Sequence, residues 1–362
     1  MAMQDAFQGG EELIVRTCGK TGLHAIISID STAIGPAAGG CRRWQYVDEA
    51  AAIRDAQRLS QGMTFKNALA GIPFGGGKSV IMAADRTPPT TAQLQTFARW
   101  MNELNGRYVT AEDVGMGLEQ MRIMCEITPY VSGSGLNGVG GDPSPLTAYG
   151  VFLGLQRAVF HRLNRSHLYG VRVAVQGLGS VGMSLCHWLA RAGAELVVAD
   201  IDKNRVTQAV RKYDAQAVPV SEITQVETDV FAPCALGGVL NEDFVRDARC
   251  RVVAGAANNQ LASVDIAEGL ATQDILYAPD FVINAGGVIS VAHEYMRNQG
   301  RFQDDPNHDS ESWVNTRIKA IDARLQTILE RAEADGASTN AVAEAMALDV
   351  IASSRLDAAE AA

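Results

Sequence analysis

Apolar and polar residues alternate along 11–18 (EELIVRTC) and 24–31 (HAIISIDS), with Ala25, Ile27 and Ile29 turned to one side. A period of two predicts strands, here joined by a turn containing glycine. From 48 to 62 the period lengthens, and Ile53, Ala56, Leu59 and Met63 fall on one stripe of a helix. GPAAGG (35–40) predicts a loop. KSVIMA (78–83) reads as a strand, TPPTTAQLQTFARWMNELNG (87–106) as a proline-opened helix closed at Gly106, and RYVTA (107–111) as a further strand. GSGLNGVGGDPSPLTAYG (133–150), rich in Gly, Ser and Pro, predicts a hinge and a domain boundary before a helix around Thr147–Val159.

Beyond 171 short apolar strands alternate with helices. VRVAVQ (171–176) leads into GLGSVG, which sets Gly177, Gly179 and Gly182 in G-x-G-x-x-G spacing, and an apolar helix follows to Ala192. ELVVAD (195–200) then ends in Asp200. Strand, glycines, helix, strand and acid in this order form a dinucleotide-binding fingerprint. The first glycine makes the turn, the second admits the pyrophosphate, and the third lets helix pack on strand. Ser180 and Val181 open the helix at that turn, and Ile201 follows the acid; all are assigned to cofactor binding. Asp200 suits ribose hydroxyls and repels a 2′-phosphate, so the expected cofactor is NAD. DVFAP (229–233), RVVAG (251–255) and ILYAP (275–279) continue the strand series. Cys234, Ala256, Asn258, Asn259 and Asn284 lie in the small-residue loops that follow. In an open parallel sheet such loops face the ligand crevice, although asparagines also close turns. Two helices are predicted in the tail, over 312–334 and 335–352, before a frayed end.

Composition narrows the partners. Of 362 residues, 47% are hydrophobic and 20% charged, the profile of a chain able to build large cores, and length allows two domains. A net charge of −10 argues against nucleic acid. No apolar run reaches membrane-spanning length, and the N-terminus lacks the order of a signal peptide. The six scattered cysteines, without C-x-x-C, predict free thiols in a reducing cytoplasm and no metal site.

The candidate chemistry centres on Met63–Val80, MTFKNALAGIPFGGGKSV, where Lys66 and Lys78 stand in apolar surroundings and Gly75, Gly76 and Gly77 precede the second lysine. A phosphate-binding P-loop does not fit, since Ile72 stands where that motif needs glycine, and two snorkelling surface lysines are the other plain reading. Burial and mutual repulsion favour the neutral form of a lysine and fit it for acid–base work. Glu112 and Asp113 follow the 107–111 strand. They read either as a helix cap or as a carboxylate aimed into a cleft.

Taken together, GPAAGGCR (35–42), RLSQGMTFKNA (58–68), GIPFGGGKSVI (71–81), LNGRYVTAEDVG (104–115), DPSPLTAYGV (142–151), VQGLGSVG (175–182), VFAPCALGG (230–238), AGAANNQLA (254–262) and YAPDFVINAGGV (277–288) resemble the glutamate/leucine/phenylalanine/valine amino acid dehydrogenase family. The likeness spans nearly the whole chain and leans to the leucine and phenylalanine enzymes. It implies an α/β fold of two domains separated by a cleft. An N-terminal substrate-binding and oligomerisation domain would cover 1–143, a Rossmann-type doubly wound NAD-binding domain 144–330, and C-terminal helices over 331–362 would pack back toward the first domain. The implied reaction is reversible oxidative deamination of an L-amino acid to a 2-oxo acid and ammonia with NAD. Carried over by position, Lys66 binds the substrate carboxylate with help from Asn258, Lys78 activates water, and Asp113 shuttles protons. Gly39, Gly40 and Met63 adjoin the substrate, and Thr147, Arg42 and Asn284 the cofactor. Domain closure over the hinge would exclude water.

Positions matching the family's side-chain pocket are Ala38, Ala111, Val288 and Val291. Ala111 with two valines implies a branched-chain aliphatic substrate; the small Ala38 implies an aromatic one. A catalytically silent NAD-binding regulator is a remoter alternative. The resemblance further implies an even-numbered homo-oligomer. Where the family often has Asp-Pro after the lysine strand, this chain has Ala84-Asp85, a turn position away from the chemistry.

Overall fold

The computed structural model describes residues 10–85, 87–133, 142–302 and 310–360. The core of the predicted hinge, 134–141, lies outside the described residues. In chain order the elements are β1 (Glu12–Cys18), β2 (Leu23–Ser31), β3 (Ala37–Trp44), α1 (Glu49–Ala70), β4 (Gly75–Met82), α2 (Thr91–Asn102), β5 (Tyr108–Ala111) and α3 (Leu118–Cys125). There follow α4 (Ser144–Leu163), β6 (Arg172–Gln176), α5 (Ser180–Arg191), β7 (Glu195–Ala199), α6 (Lys203–Tyr213), β8 (Gln216–Ala217), β9 (Val230–Pro233), α7 (Glu242–Asp247), β10 (Val252–Val253), α8 (Asp265–Thr272), β11 (Leu276–Tyr277) and α9 (Asp280–Ile283). The last helices are α10 (Gly286–Asn298), α11 (Ser310–Asp335) and α12 (Thr339–Glu360).

Two compact units result. The first takes its described residues from Met1–Gly141, Val288–Trp313 and Ala347–Ala362, the second from Asp142–Gly287 and Val314–Met346. The sequence reading divides the chain into consecutive segments and places 288–313 with the dinucleotide fingerprint. In the structure that stretch packs with the first unit. The Ser132 hydroxyl donates to the Val291 carbonyl at 2.7 Å, and the rings of Phe74 and Tyr295 meet edge-on at 5.6 Å.

The first unit is built on a five-stranded mixed sheet ordered β1-β2-β4-β3-β5. Side-chain alternation along β2 divides its two faces. Ile26 joins Ala52, Ala56 and Val80 beneath α1, while Ala25, Ile27 and Ile29 join Phe97, Met101, Tyr108, Met121 and Met124 against α2 and α3. Of the loop predicted at 35–40 only 35 and 36 lie outside a strand; 37–40 begin β3, which pairs in parallel with both β4 and β5. Its glycines reflect crowding: a Cβ on Gly39 would stand 1.9 Å from the Gly77 carbonyl oxygen. Helix α1 runs beyond its predicted end at 62 and stops at Gly71, whose left-handed φ of 65° closes it; Asp48 caps the start by accepting from the Ala51 amide.

The second unit holds a six-stranded parallel sheet ordered β11-β10-β9-β6-β7-β8. Numbered from its own first strand, this is the 3-2-1-4-5-6 order of a dinucleotide-binding Rossmann fold. The strand order reverses between β6 and β9, so the crevice lies beyond Gln176 and Pro233. The short connecting helices α6 to α9 are elements that the strand-centred sequence reading does not list. No helix among the described residues is long and apolar enough to cross a membrane.

Candidate active site

Lys78 lies in the middle of β4, opposite Ser28 of β2. Asp113 begins the tight turn after β5, where the amides of Asp113 and Met116 donate to each other's carbonyls at 3.1 and 2.9 Å. Gly115 takes φ +75° there. Helix α3 begins only at Leu118, with Gly117 as its N-cap residue, so Asp113 does not serve as a helix cap. The Lys78 Nζ and Asp113 Oδ2 are 2.6 Å apart, with side chains 8% and 18% exposed. The Arg42 Nε reaches the same oxygen at 3.2 Å. Burial pushes the Asp113 carboxyl upward, but Lys78 and then Arg42 outweigh it and hold the group below its usual range. Beneath this pair the Tyr108 hydroxyl sits 3.0 Å from Ser79 Oγ and 3.1 Å from the Gly39 carbonyl oxygen, tying β5 to β4 and β3. Cys41 is fully buried nearby and burial pushes its thiol up to about 12, leaving it neutral.

Gly40 lies against Asp113, and several other predicted residues belong to the same unit. A Cβ on Gly40 would meet Asp113 Cβ at 2.8 Å, and one on Gly39 would meet Met63 Cγ at 3.1 Å. Lys66 is buried inside α1, ahead of its last turn, and does not follow the helix. Ala111 pairs with Gly40 and Ala38 with Val109 in the β3–β5 register. Val288 and Val291 lie on α10, and Val291 is joined to β5 through Ser132, whose amide donates to the Thr110 carbonyl at 2.8 Å. Arg42, predicted beside the cofactor, belongs to the first unit and binds Asp113 and Asp55.

The remaining cofactor candidates, Gly177, Gly179, Ser180, Val181, Gly182, Asp200, Ile201, Thr147, Cys234, Ala256, Asn258 and Asn284, all lie in the second unit. Gly177 has φ +94°, and a Cβ on Gly182 would stand 2.0 Å from the Gly177 carbonyl oxygen, so turn and helix approach both require glycine. Gly179 differs: the nearest atom to its Cβ position is Arg205 Nη1 at 3.9 Å. It is the N-cap residue of α5 and offers no side-chain cap, which leaves that helix end available to an anion. The Asp200 carboxylate accepts from the amides of Leu178 and Asp202. Ile201 is 91% exposed beside it. Thr147 lies in the first turn of α4 and donates to the Pro143 carbonyl at 3.0 Å. Asn284 is buried; its amide nitrogen donates to the Ala256 carbonyl at 3.1 Å and to Asn258 Oδ1 at 3.0 Å, while its own Oδ1 has no hydrogen-bond partner among the described residues. Space over Gly179, a free helix end, a braced acid and an unmet buried acceptor suit a dinucleotide carrying an amide.

Sequence reasoning overlooks Asp55, Tyr46 and Ser132. Asp55 interrupts no apolar stripe of α1, Tyr46 sits in an ordinary connecting loop, and Ser132 is one of several serines near the hinge. Only the three-dimensional pairing marks them.

These features define a two-domain α/β oxidoreductase. Residues 13–130 match the model of the Glu/Leu/Phe/Val dehydrogenase dimerisation domain, and residues 198–357 match that of glutamate/leucine/phenylalanine/valine dehydrogenase. Leucine dehydrogenase of Bacillus subtilis is 42% identical over 339 residues, covering 93% of this chain and 90% of that protein. Valine dehydrogenase of Streptomyces virginiae is 42% identical over 79% of this chain and 82% of its own. Among solved structures, L-tryptophan dehydrogenase from Nostoc punctiforme superimposes with a TM-score of 0.81 at 38% identity, over 96% of this chain and 97% of that one. The chain belongs to the glutamate/leucine/phenylalanine/valine dehydrogenase family.

Proposed function

We propose that this dehydrogenase catalyses the reversible, NAD-dependent oxidative deamination of a branched-chain L-amino acid, leucine foremost, to the 2-oxo acid and ammonia. The observation that carries the reading is the buried Lys78–Asp113 pair at 2.6 Å. Deamination needs a group that takes a proton from the α-amino nitrogen and a second that activates water for attack at the same carbon. A carboxylate and an ammonium bonded together out of bulk solvent can exchange that proton directly. Lys78 passes its proton to Asp113 and, as the neutral amine, orients and deprotonates the attacking water, and Asp113 delivers the proton it holds to the departing amino nitrogen. Lys66, buried on the adjoining helix, binds the substrate carboxylate. In the second unit Gly179 and the start of α5 hold the cofactor's pyrophosphate, Asp200 its ribose, and Asn284 its carboxamide. Bound there, NAD would supply the hydride acceptor for the substrate carbon.

Ala111, Val288 and Val291 form the side-chain pocket in this reading. Being medium-sized and apolar, they favour leucine and valine. The small Ala38 favours an aromatic side chain as a second reading. One methylene in such a pocket changes preference by only ~1–3 kcal/mol, so the ranges overlap. Self-association through the stretch matched by the dimerisation-domain model is part of the same proposal.

The test is NADH formation by the purified protein with leucine, isoleucine, valine, phenylalanine, tryptophan and glutamate, repeated with NADP. Leucine or valine leading with NAD supports the proposal. Phenylalanine or tryptophan leading selects the aromatic reading. NAD binding without turnover of any of them overturns both.

A further inference from the structure

The Lys78–Asp113 pair is the end of a longer line of alternating charge. The Tyr46 hydroxyl donates to Asp55 Oδ2 at 2.6 Å, and Arg42 Nη1 reaches that oxygen at 3.0 Å. Arg42 Nε then reaches Asp113 Oδ2 at 3.2 Å, and Lys78 Nζ the same oxygen at 2.6 Å. One carboxylate oxygen therefore serves two cations. That arrangement opposes protonation of Asp113, yet a proton carrier has to be protonated in every cycle.

Asp55 meets the guanidinium at Nη1 and Asp113 meets it at Nε. The Asp55 side chain is 17% exposed, close to the 22% of Arg42, so solvent screens the contact only in part. The charged and titratable groups facing Asp113 are Lys78 from β4, Arg42 and Cys41 from β3, and Tyr108 from β5. Burial keeps Cys41 and Tyr108 neutral. Those facing Asp55 are Arg42 from β3, Tyr46 from the following loop, and Arg58 from its own helix at 3.4 Å. In the neutral range the balance at Asp113 is thus set by Lys78, Arg42 and the second anion on Arg42.

We infer that Asp55, braced by Tyr46, is a positioning residue for catalysis: it fixes the Arg42 guanidinium against Asp113 and offsets its charge, so that Asp113 can still take up a proton. The inference rests on the dehydrogenase reading above. Asp55 touches no reacting atom in it and acts through Arg42.

Asp55→Asn keeps the shape and removes the charge. It leaves Arg42 uncompensated, which disfavours protonation of Asp113. The expected result is a kcat for amino acid oxidation lowered about tenfold, an unchanged KM for NAD, and a kcat–pH profile displaced to lower pH by about half a unit or more. Asp55→Glu restores the charge and returns the profile toward that of the unmodified enzyme. Tyr46→Phe moves it in the same direction as Asp55→Asn, by less, and gives a readout even if Asp55→Asn fails to fold. Profiles that stay in place in the variants, or losses of kcat that follow only a fall in Tm, overturn the inference while leaving the dehydrogenase reading intact. Absence of amino acid turnover by the unmodified protein, run in parallel, overturns that reading and the inference with it.

Discussion

At Gly76 an added Cβ would stand 1.9 Å from Thr64 Oγ1, whereas at Gly179 the nearest atom is an arginine tip at 3.9 Å. The two stretches, Gly75–Gly77 and Gly177–Gly182, each carry three glycines, the first opening β4 and the second running into α5. In the first, the space beside each residue is filled by the protein: Ser31 at Gly75, Thr64 at Gly76 and Tyr108 at Gly77. Those glycines let α1 and the neighbouring strands close on β4, which brings Lys78 to its place. In the second, the outer glycines are needed by the chain and the middle one is not. Glycine clustering alone does not separate tight packing from ligand approach; what separates them is whether the missing side chain's volume is already taken.

The comparison can be broken most sharply at the lysine that the first stretch positions. Lys78→Ala is expected to lower turnover by roughly 10²–10⁴-fold while the circular dichroism spectrum and NAD binding are kept. Near-normal NADH formation by that variant would remove Lys78 from the chemistry. Next come the glycines themselves. Gly76→Ala drives a methyl into the Thr64 backbone and is expected to destabilise the first unit by ~3 kcal/mol or more, read as a large fall in Tm or loss of soluble protein. Gly179→Ala should leave Tm within a degree or two yet raise the KM for NAD. A reversed pattern, with Gly179→Ala unstable and Gly76→Ala tolerated, would mean that the two stretches have been assigned the wrong way round.

A smaller effect concerns Asp113. Its carboxyl is held below the usual range in the folded protein, so the pair adds stability above the unfolded carboxylate pKa and loses it as pH falls through the folded value. Asp113→Asn leaves Lys78 buried without its anion and should cost about 3 kcal/mol at neutral pH. The Tm gap between the two proteins should narrow as pH drops below the ordinary carboxylate range; a gap that widens on acidification would contradict the ion pair. The smallest effect belongs to Ser132→Ala. Losing the hydroxyl that joins Val291 to the strand bearing Ala111 should shift the leucine-to-phenylalanine ratio of kcat/KM a few-fold toward the larger substrate, with the KM for NAD unmoved.

The second unit was the more legible of the two. Strands β6, β7 and β9 are short apolar runs bounded by small residues, and Gly177, Gly179, Gly182 and Asp200 stand at spacings that only a βαβ turn explains. The first unit hides more. Gly39 and Gly40 read as loop because glycine is rare inside strands, and only the neighbouring Gly77 and Glu112 backbones explain them. The apolar stripe of α1 reads only to 62, yet the left-handed cap comes at Gly71 and takes Lys66 into the helix. Arg42 carries no local sign that its partners are Asp113, 71 residues away, and Asp55, 13 away. Long-range ion pairing leaves no period in a sequence, whereas backbone turns and buried strands do.

Both oxygens of Asp200 are already engaged, one by the Leu178 amide inside the glycine turn and one by the Asp202 amide at the start of α6. The residue that discriminates between cofactors in our reading is therefore also a rivet in the turn that carries Gly179. An engineer who replaces it to admit a phosphorylated dinucleotide loosens that turn in the same step. A successful swap of cofactor would need a second substitution that restrains the 177–182 segment by other means.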